Sequence, residues 1–445
     1  MEKQNILELI EQKKYIQLKK ELSEMNEVDI SEIIEPLDLP TTLLVFRMLS
    51  KGIAAEVFSY FSAEQQADIM NTITDKELKF ILDELFFDDM IDLIEEMPAN
   101  VVNKILINST QEERVLINQF LKYPAQSAGS IMTIEYVELK KNMSVKEALE
   151  HIKEIGLNKE TIYTCYVTDK KRKLEGIVSL RNLVVSEFEQ SINDIMLEEV
   201  IYVETHDDQE IIANIFKKYG FMALPVVDKE HRLTGIITFD DIMDVMEEEA
   251  TEDFQRMAAM VPSDEAYLDS SVITLAKQRI PWLMILMIGA TVTGGIIKKF
   301  EDILSTVVVL TAFIPMLMDT GGNSGNQSST LIIRGLATGE VVLKDIWRVL
   351  WKEFRISLLV GISLATVNFA KNMLLDRLEL MVSLTVSLTV IIAVILAKIF
   401  GGTLPLIAKK LKLDPAIMAG PLITTIVDAL TLLVYFGIAS AILIK

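Results

Sequence analysis

The chain is 445 residues long, half of them hydrophobic, with a formal net charge of −21. That charge is unevenly divided, −27 up to Ala276 and +6 from Lys277 onward. So acidic a first part argues against nucleic acid as a partner, because phosphate would be repelled. The lone cysteine, Cys165, excludes an intrachain disulfide and a thiolate metal cluster, and His151, His206 and His231 stand at no ligand spacing.

Residues 1–127 read as a succession of short helices. The opening stretch MEKQNILELIEQKKY has no apolar signal-peptide core, so the first part is expected in the cytoplasm. Apolar residues recur at helical spacing, as at Ile69, Ile73, Leu78, Ile81, Leu82 and Leu85. Ser62, Thr74, Asp88, Pro98 and Ser109 punctuate the pattern. The segments SAEQQADIM, TDKELKFIL, FDDMIDLIEEMP and TQEERVLINQF look like variants of one unit, a small or acidic cap followed by an apolar stripe. Such helices bury their faces only against one another, so an acidic α-helical solenoid is expected.

Two copies of a smaller α/β unit follow, over residues 128–190 and 191–249. Ile131-Met132 matches Ile195-Met196, and Val167-Thr168-Asp169-Lys170 matches Val227-Asp228-Lys229. Leu174-Glu175-Gly176-Ile177-Val178-Ser179 matches Leu233-Thr234-Gly235-Ile236-Ile237-Thr238. In each copy a helix (KEALEHIKEIG, DQEIIANIFKKYG) ends at a glycine, two β-rich runs joined by a charged turn come next, and a second helix closes the unit. The motifs GIVSLRNL and GIITFDDIMDV resemble the tandem cystathionine-β-synthase (CBS) domain family. That resemblance implies a nucleotide site: Thr238-Phe-Asp-Asp241 fits the family's ribose-contacting spacing, with Ser179-Leu-Arg-Asn182 as its weaker counterpart. ATP would then be a modulator; there is no P-loop to make it a fuel, and no enzymatic chemistry is expected.

Residues 250–278 read as a charged connecting helix broken near Pro262 and Ser263, with a second helical part from Tyr267 to Gln278. The remainder, 279–445, is expected to be an all-α membrane domain of five helices, at about 280–297, 303–333, 356–375, 380–407 and 416–444. Each run reaches the ~20 apolar residues that a span needs. With the N-terminus inside, ten basic residues (among them Lys277, Arg279, Arg334 and Lys409) fall in the cytoplasm. Five, Lys298, Lys299, Lys371, Arg377 and Lys445, fall outside. This predicts a multi-pass protein of the cell membrane with its C-terminus outside. Lys398 lies within the fourth run, where it either snorkels or meets a partner helix.

Two features of the membrane part carry chemistry. The second run holds PMLMDTGGNSGNQSSTLIIRGLATGE, where Asp319, Thr320, Asn323, Ser324, Asn326, Gln327, Ser328 and Ser329 crowd about three turns. A helix-packing seam explains Gly321, Gly322 and Gly325 but needs fewer amides and hydroxyls; polar groups at that depth must be buried or line water. In the last run Asp428 is the lone charged residue, at a cost of roughly 3 kcal/mol on insertion scales. A structural Asp bonded to a neighbouring helix is the bland alternative; a cation path is the sharper one.

The runs MLMDTGGNSGNQSSTLIIRGLATGE and LDPAIMAGPLITTIVDALTLLVYF, with the order of parts, resemble the MgtE family of magnesium channels and transporters. The resemblance implies a homodimer in membrane lipid with a pore on its two-fold axis, Mg²⁺ selected by Asp428, and Asp414 at the cytoplasmic mouth. Gly220 departs from relatives that place an acidic residue there. Mg²⁺ takes oxygen ligands octahedrally and keeps several waters, which suits one or two carboxylates. Thr424 and Pro421 would offer oxygens to its water shell, and Asn323, Asn326 and Gln327 would line the pore. The acidic residues Glu56, Asp88, Asp92, Glu210, Asp241, Asp244, Glu249, Glu252 and Asp253 are the candidate regulatory ligands, through which internal Mg²⁺ would compact the soluble domains and close the pore. For any one of them a solvated surface is an equal reading. Mn²⁺, Co²⁺ and Ni²⁺ are not excluded. A gradient-driven divalent carrier and a membrane-bound sensor without transport stay open as rivals.

Overall fold

The computed structural model describes residues 2–263, 267–268 and 270–443; Ile444 and Lys445, the latter counted above on the outer side, lie outside the described residues. The chain divides into two compact units, residues 1–246 and 247–445.

The first unit begins with helices α1 (Glu2–Glu11), α2 (Tyr15–Leu22), α3 (Glu27–Ile34), α4 (Leu39–Phe46), α5 (Lys51–Ser59), α6 (Ala63–Thr72), α7 (Asp75–Leu82), α8 (Phe87–Glu96), α9 (Ala99–Asn108) and α10 (Gln111–Phe120). Their starts follow from local chemistry. Thr74 and Thr110 each accept from the backbone N–H three residues on, while Glu77 and Glu113 reach back to the cap N–H. None is long enough to stand alone in water. Packing supplies what length does not: α1 packs on α3, α3 on α5, α5 on α7 and α7 on α9. Their buried residues, from Ile6 and Leu18 to Ile117 and Phe120, share one hydrophobic core with Val203, Ile212, Phe216 and Val245 of the second α/β copy.

The copies are β1 (Val137–Leu139), α11 (Val145–Ile155), β2 (Thr164–Thr168), β3 (Leu174–Ser179) and α12 (Leu180–Val185), then α13 (Ile192–Ile195), β4 (Val203–Glu204), α14 (Gln209–Tyr219), β5 (Ala223–Val227), β6 (Leu233–Thr238) and α15 (Phe239–Met257). In each, a short strand runs parallel to the middle strand, which pairs antiparallel with the third. The charged turns are built alike. Asp169 Oδ1 accepts from the N–H groups of Lys171 and Lys173, and Asp228 Oδ1 from those of Glu230 and Arg232. Both turns need a left-handed residue, Arg172 (φ 63°) and His231 (φ 64°).

The copies also exchange their leading segments. Thr133 ahead of the first sheet bridges Ile236 of the second, and Leu197 ahead of the second bridges Ile177 of the first. The repeated Ile-Met pair has its reason here. Met132 Sδ would lie 2.9 Å from a Cβ at Gly235, and Met196 Sδ 2.9 Å from one at Gly176. Each glycine is the space into which the other copy's lead fits.

The second unit contains α16 (Val272–Lys299), α17 (Glu301–Thr306), α18 (Ile314–Ala337), α19 (Ile346–Leu374), α20 (Leu380–Lys410) and α21 (Gly420–Leu443). Among the described residues four segments are long and apolar enough to cross a membrane: Val272–Lys299, Leu343–Leu374, Leu380–Lys410 and Pro415–Leu443. The polar α18, of 24 residues, is not among them. The second expected run is not one helix. After α17 the chain makes a 3-10 segment, Val308–Phe313, and α18 starts afresh with Pro315 in its first turn. The expected helix from Tyr267 to Gln278 instead starts at Val272, where Ser271 Oγ accepts from Thr274 N at 3.1 Å. α20 packs against α18, α19 and α21. Its approach to α18 is backbone on backbone: a Cβ at Gly401 would collide with the Gly325 carbonyl.

Candidate functional site: an intramembrane carboxylate and two acidic clusters

Asp319, Asn323 and Gln327 recur every fourth residue of α18 and are all exposed. On the adjoining α21, Asp428 is half-buried, and its Oδ1 is buried with no hydrogen-bond partner among the described residues. The Asp319 carboxylate lies within electrostatic range of it. Thr424, one turn earlier, donates to Gly420 O at 3.0 Å, and its methyl carbon fills the space over Gly322. The Pro421 carbonyl is less open than the sequence suggests, because Thr425 Oγ1 donates to it at 2.8 Å. Asn326 differs from Asn323 and Gln327: its Oδ1 accepts from Gly420 N at 3.0 Å, which ties it to the start of α21.

Asp414 sits at the head of that segment. Its Oδ1 caps the turn Pro415–Met418 by accepting from Ala416 N at 2.7 Å, and its Oδ2 pairs with Arg256 of α15. Arg256 also pairs with Glu252. Burial first, then the Asp414, Glu249 and Glu252 charges, push the Asp253 carboxyl up to about 6, with Arg256 opposing. Residues 414–420 are gripped from two further sides. Ser329 of α18 donates to Met418 O at 2.9 Å, and the Met257 carbonyl leaves no room for a Cβ at Gly420 (φ 47°).

A second acidic cluster lies within the first unit. Burial, followed by the Asp241, Asp89 and Glu160 charges, raises the Asp88 carboxyl well above the usual range. Burial is also the leading cause at Asp89 (about 6), Asp92 (about 7) and Glu160 (about 8), and Asp241 acts on all three. Asp241 itself is raised by burial and by Asp240 and Asp244, against its bond from Thr238. Glu56 acts on Asp89, and its own carboxyl is raised by burial and Glu27. Asp88 Oδ1 and Glu160 Oε2 are buried without a hydrogen-bond partner among the described residues. Such a set is a poor arrangement for carboxylates alone and a good one around a divalent ion. Among the described residues no three His, Cys, Asp or Glu side chains are placed to hold a metal directly. The cluster is therefore a basin of negative charge. Glu210 lies in the first turn of α14 and is exposed.

At the strand-to-helix corners, Thr238 Oγ1 donates to Asp241 Oδ2 at 2.5 Å, and Ser179 Oγ accepts from Asn182 N at 3.1 Å. Both are local caps, so Asp241 serves its corner and the acidic cluster together. Sequence reasoning missed Glu135, Glu160 and Arg256. Glu160 sits in the segment NKET, where neither spacing nor periodicity marks it.

An acidic unit with two CBS-like copies, followed in the chain by long apolar helices that carry carboxylates such as Asp428, defines the class: a membrane protein with soluble N-terminal domains. Family models agree part by part. The divalent cation transporter model, MgtE, matches residues 314–438, the MgtE intracellular N domain residues 25–126, and the CBS domain residues 128–187 and 192–248. The chain is 36% identical over 432 residues to the magnesium transporter MgtE of Thermus thermophilus, spanning 96% of this chain and 95% of that one. To the magnesium transporter MgtE of Bacillus subtilis it is 32% identical over 425 residues, spanning 93% and 94%. A crystal structure of the cytosolic domain of the Mg²⁺ channel MgtE in complex with ATP aligns with a TM-score of 0.52 and 34% identity, covering 54% of this chain and 98% of that one. The soluble part of a magnesium transporter aligns with a TM-score of 0.53 and 30% identity, covering 56% and 98%. The chain belongs to the MgtE family of divalent cation transporters.

Proposed function

We propose that the chain is one subunit of a homodimeric, Mg²⁺-selective channel of the cell membrane, gated by internal Mg²⁺. The observation that carries this reading is the exposed stripe Asp319, Asn323 and Gln327 beside the unpartnered Asp428. Hydrocarbon tolerates neither, so they face water, and a second copy about a two-fold axis would enclose that water. In this reading α18 is the fifth span, the soluble domains are cytoplasmic and the C-terminus is outside. The relatives' magnesium transport supports Mg²⁺ as the substrate. Two Asp428 carboxylates across the axis suit a hydrated divalent ion, with Thr424 and Pro421 oxygens toward its water shell.

The soluble part, a helical solenoid over 1–127 and CBS units over 128–190 and 191–249, acts as the sensor. Asp88, Asp92, Asp241, Asp244 and Glu56 form one regulatory basin, and Glu249, Glu252, Asp253 and Asp414 the other. A divalent ion, when bound, would supply positive charge to the first basin and add to that of Arg256 in the second. Asp253 and Asp414 then draw together, and Arg256 and Met257 hold residues 414–420 over the start of α21. The shift requires tighter ion binding to the closed arrangement than to the open one. Glu210 is a further candidate ligand of the sensor. The ATP complex of the related cytosolic domain supports ATP as a modulator at Thr238, Asp241 and Ser179.

The test is Mg²⁺ uptake into liposomes by the purified protein and by Asp428→Asn. Uptake by the wild type and its loss in the folded variant are expected; equal uptake refutes the pore assignment. A tag placed after residue 443 should be reached from outside, and one at residue 2 only after permeabilisation.

A further inference from the structure

Glu353, Ser328 and Lys398 form a polar network in the membrane unit that the path along Asp428 does not use. They are 6, 1 and 4% exposed, on α19, α18 and α20. Lys398 Nζ donates to Ser328 Oγ at 3.4 Å, and Ser328 Oγ donates to Glu353 Oε2 at 2.6 Å. This donor-to-acceptor order suits an ammonium at one end and a carboxylate at the other. The distances put the two charges at most about 6 Å apart. Lys398 stands ~18 Å of helix before the end of α20 at Lys410. That is beyond the reach of a snorkelling side chain. Gly402, one turn on, makes room for the acid: a Cβ there would lie 3.1 Å from Glu353 Cγ.

A buried carboxylate with a hydroxyl beside it is the hard-oxygen donor set that Mg²⁺ prefers. A second such set beside a conduction path would hold the ion, and conduction needs sites weak enough to leave. We propose that the Lys398 ammonium is a tethered counter-ion, filling at Glu353 the place a permeant cation would otherwise take. Asp428 thereby stays the carboxylate that meets the permeating ion. Lysine suits the task as a compact point charge on a long stem. The inference rests on the proposed cation path.

The experiment uses full-length protein in detergent, with Mn²⁺ as the probe and electron paramagnetic resonance to count tightly bound ions. Lys398→Met is expected to gain one bound Mn²⁺ per chain over wild type and to lose about tenfold in liposome Mg²⁺ uptake, because the exposed acid retains the ion. Lys398→Met/Glu353→Gln carries no charge in the network. It should lose the extra ion, fold, and regain uptake to within about twofold of wild type. Lys398→Arg should behave as wild type. The Mn²⁺ count does not depend on Asp428 conducting, so failure of the pore reading leaves it legible. A wild-type count in Lys398→Met overturns the proposal. So does a double variant as inactive as the single one. Failure of Lys398→Met to fold in both EDTA and millimolar Mg²⁺, while the double variant folds, overturns it as well.

Discussion

Glu160→Gln is expected to stabilise the protein at pH 8 without Mg²⁺, and to do little at pH 5. The Glu160 carboxyl, raised from its ordinary value of 4.5 to about 8 by burial and by Asp241, Asp240, Asp89 and Glu135, holds its proton more tightly folded than unfolded. A raised carboxyl contributes stability that is fully present below the unfolded value and lost as pH rises through the folded one. The window is therefore pH 4.5 to 8. Each pH unit of displacement is worth ~1.4 kcal/mol. An isolated, fully buried group would thus lose ~5 kcal/mol. Glu160 is only half-buried and titrates together with Asp88, Asp89 and Asp241, so screening and sharing reduce this to ~2 kcal/mol. Glutamine keeps the shape and removes the charge. For a unit of 246 residues that gain corresponds to ~4–8 °C in melting temperature. The assay is thermal unfolding of full-length protein in EDTA at pH 5 and pH 8, repeated at pH 8 with Mg²⁺. Mg²⁺ should raise wild type more than the variant. Equal melting temperatures at pH 8 in EDTA, or a larger gain at pH 5, refute the reasoning.

Other outcomes follow from named contacts. Arg256→Ala removes the cation that pairs with Asp414 and Glu252. The Mg²⁺ concentration that half-protects residues 258–271 from protease should then fall roughly two- to tenfold, and an unchanged midpoint counts against Arg256 as an internal competitor. Gly401→Ala drives a methyl into the Gly325 carbonyl and should cost about 1–3 kcal/mol in the membrane unit. A thermal midpoint at the wild-type value would mean that α18 and α20 separate freely. Thr74→Ala breaks the capping box of α7 and should lower stability by about 1 kcal/mol, read as a lower urea midpoint for the soluble unit.

Much of the architecture was legible because it rests on local rules. The α/β copies announced themselves by matched strings, and the structure gives those strings their reasons: aspartates that cap turns, glycines that admit a neighbour, methionines that fill the space. Helix starts at Thr74 and Thr110 were readable as caps. Three things were not legible. The break at Val308–Phe313 falls in an unbroken apolar run, where only Pro315 hinted at a new helix. Lys398 had two readings by composition, and only the positions of Ser328 and Glu353 decide between them. The acidic basin draws Asp88, Glu160 and Asp241 from three distant segments. Long-range proximity of like charges leaves no trace in periodicity or spacing, and a surplus of acidic residues hides the few that are buried.

The exchange of leading segments between the two α/β copies has a further consequence. Thr133 completes the sheet that ends at Thr238, and Leu197 completes the one that ends at Ser179. A gene cut at residue 190 would yield two fragments, each holding a piece of the other's sheet and lacking part of its own. The pair is thus an obligate dimer built into one chain, with the geometry of an exchanged element but no partner to lose by dilution. Damage at either lock, Gly176 or Gly235, should travel to both copies, so they unfold as one cooperative body.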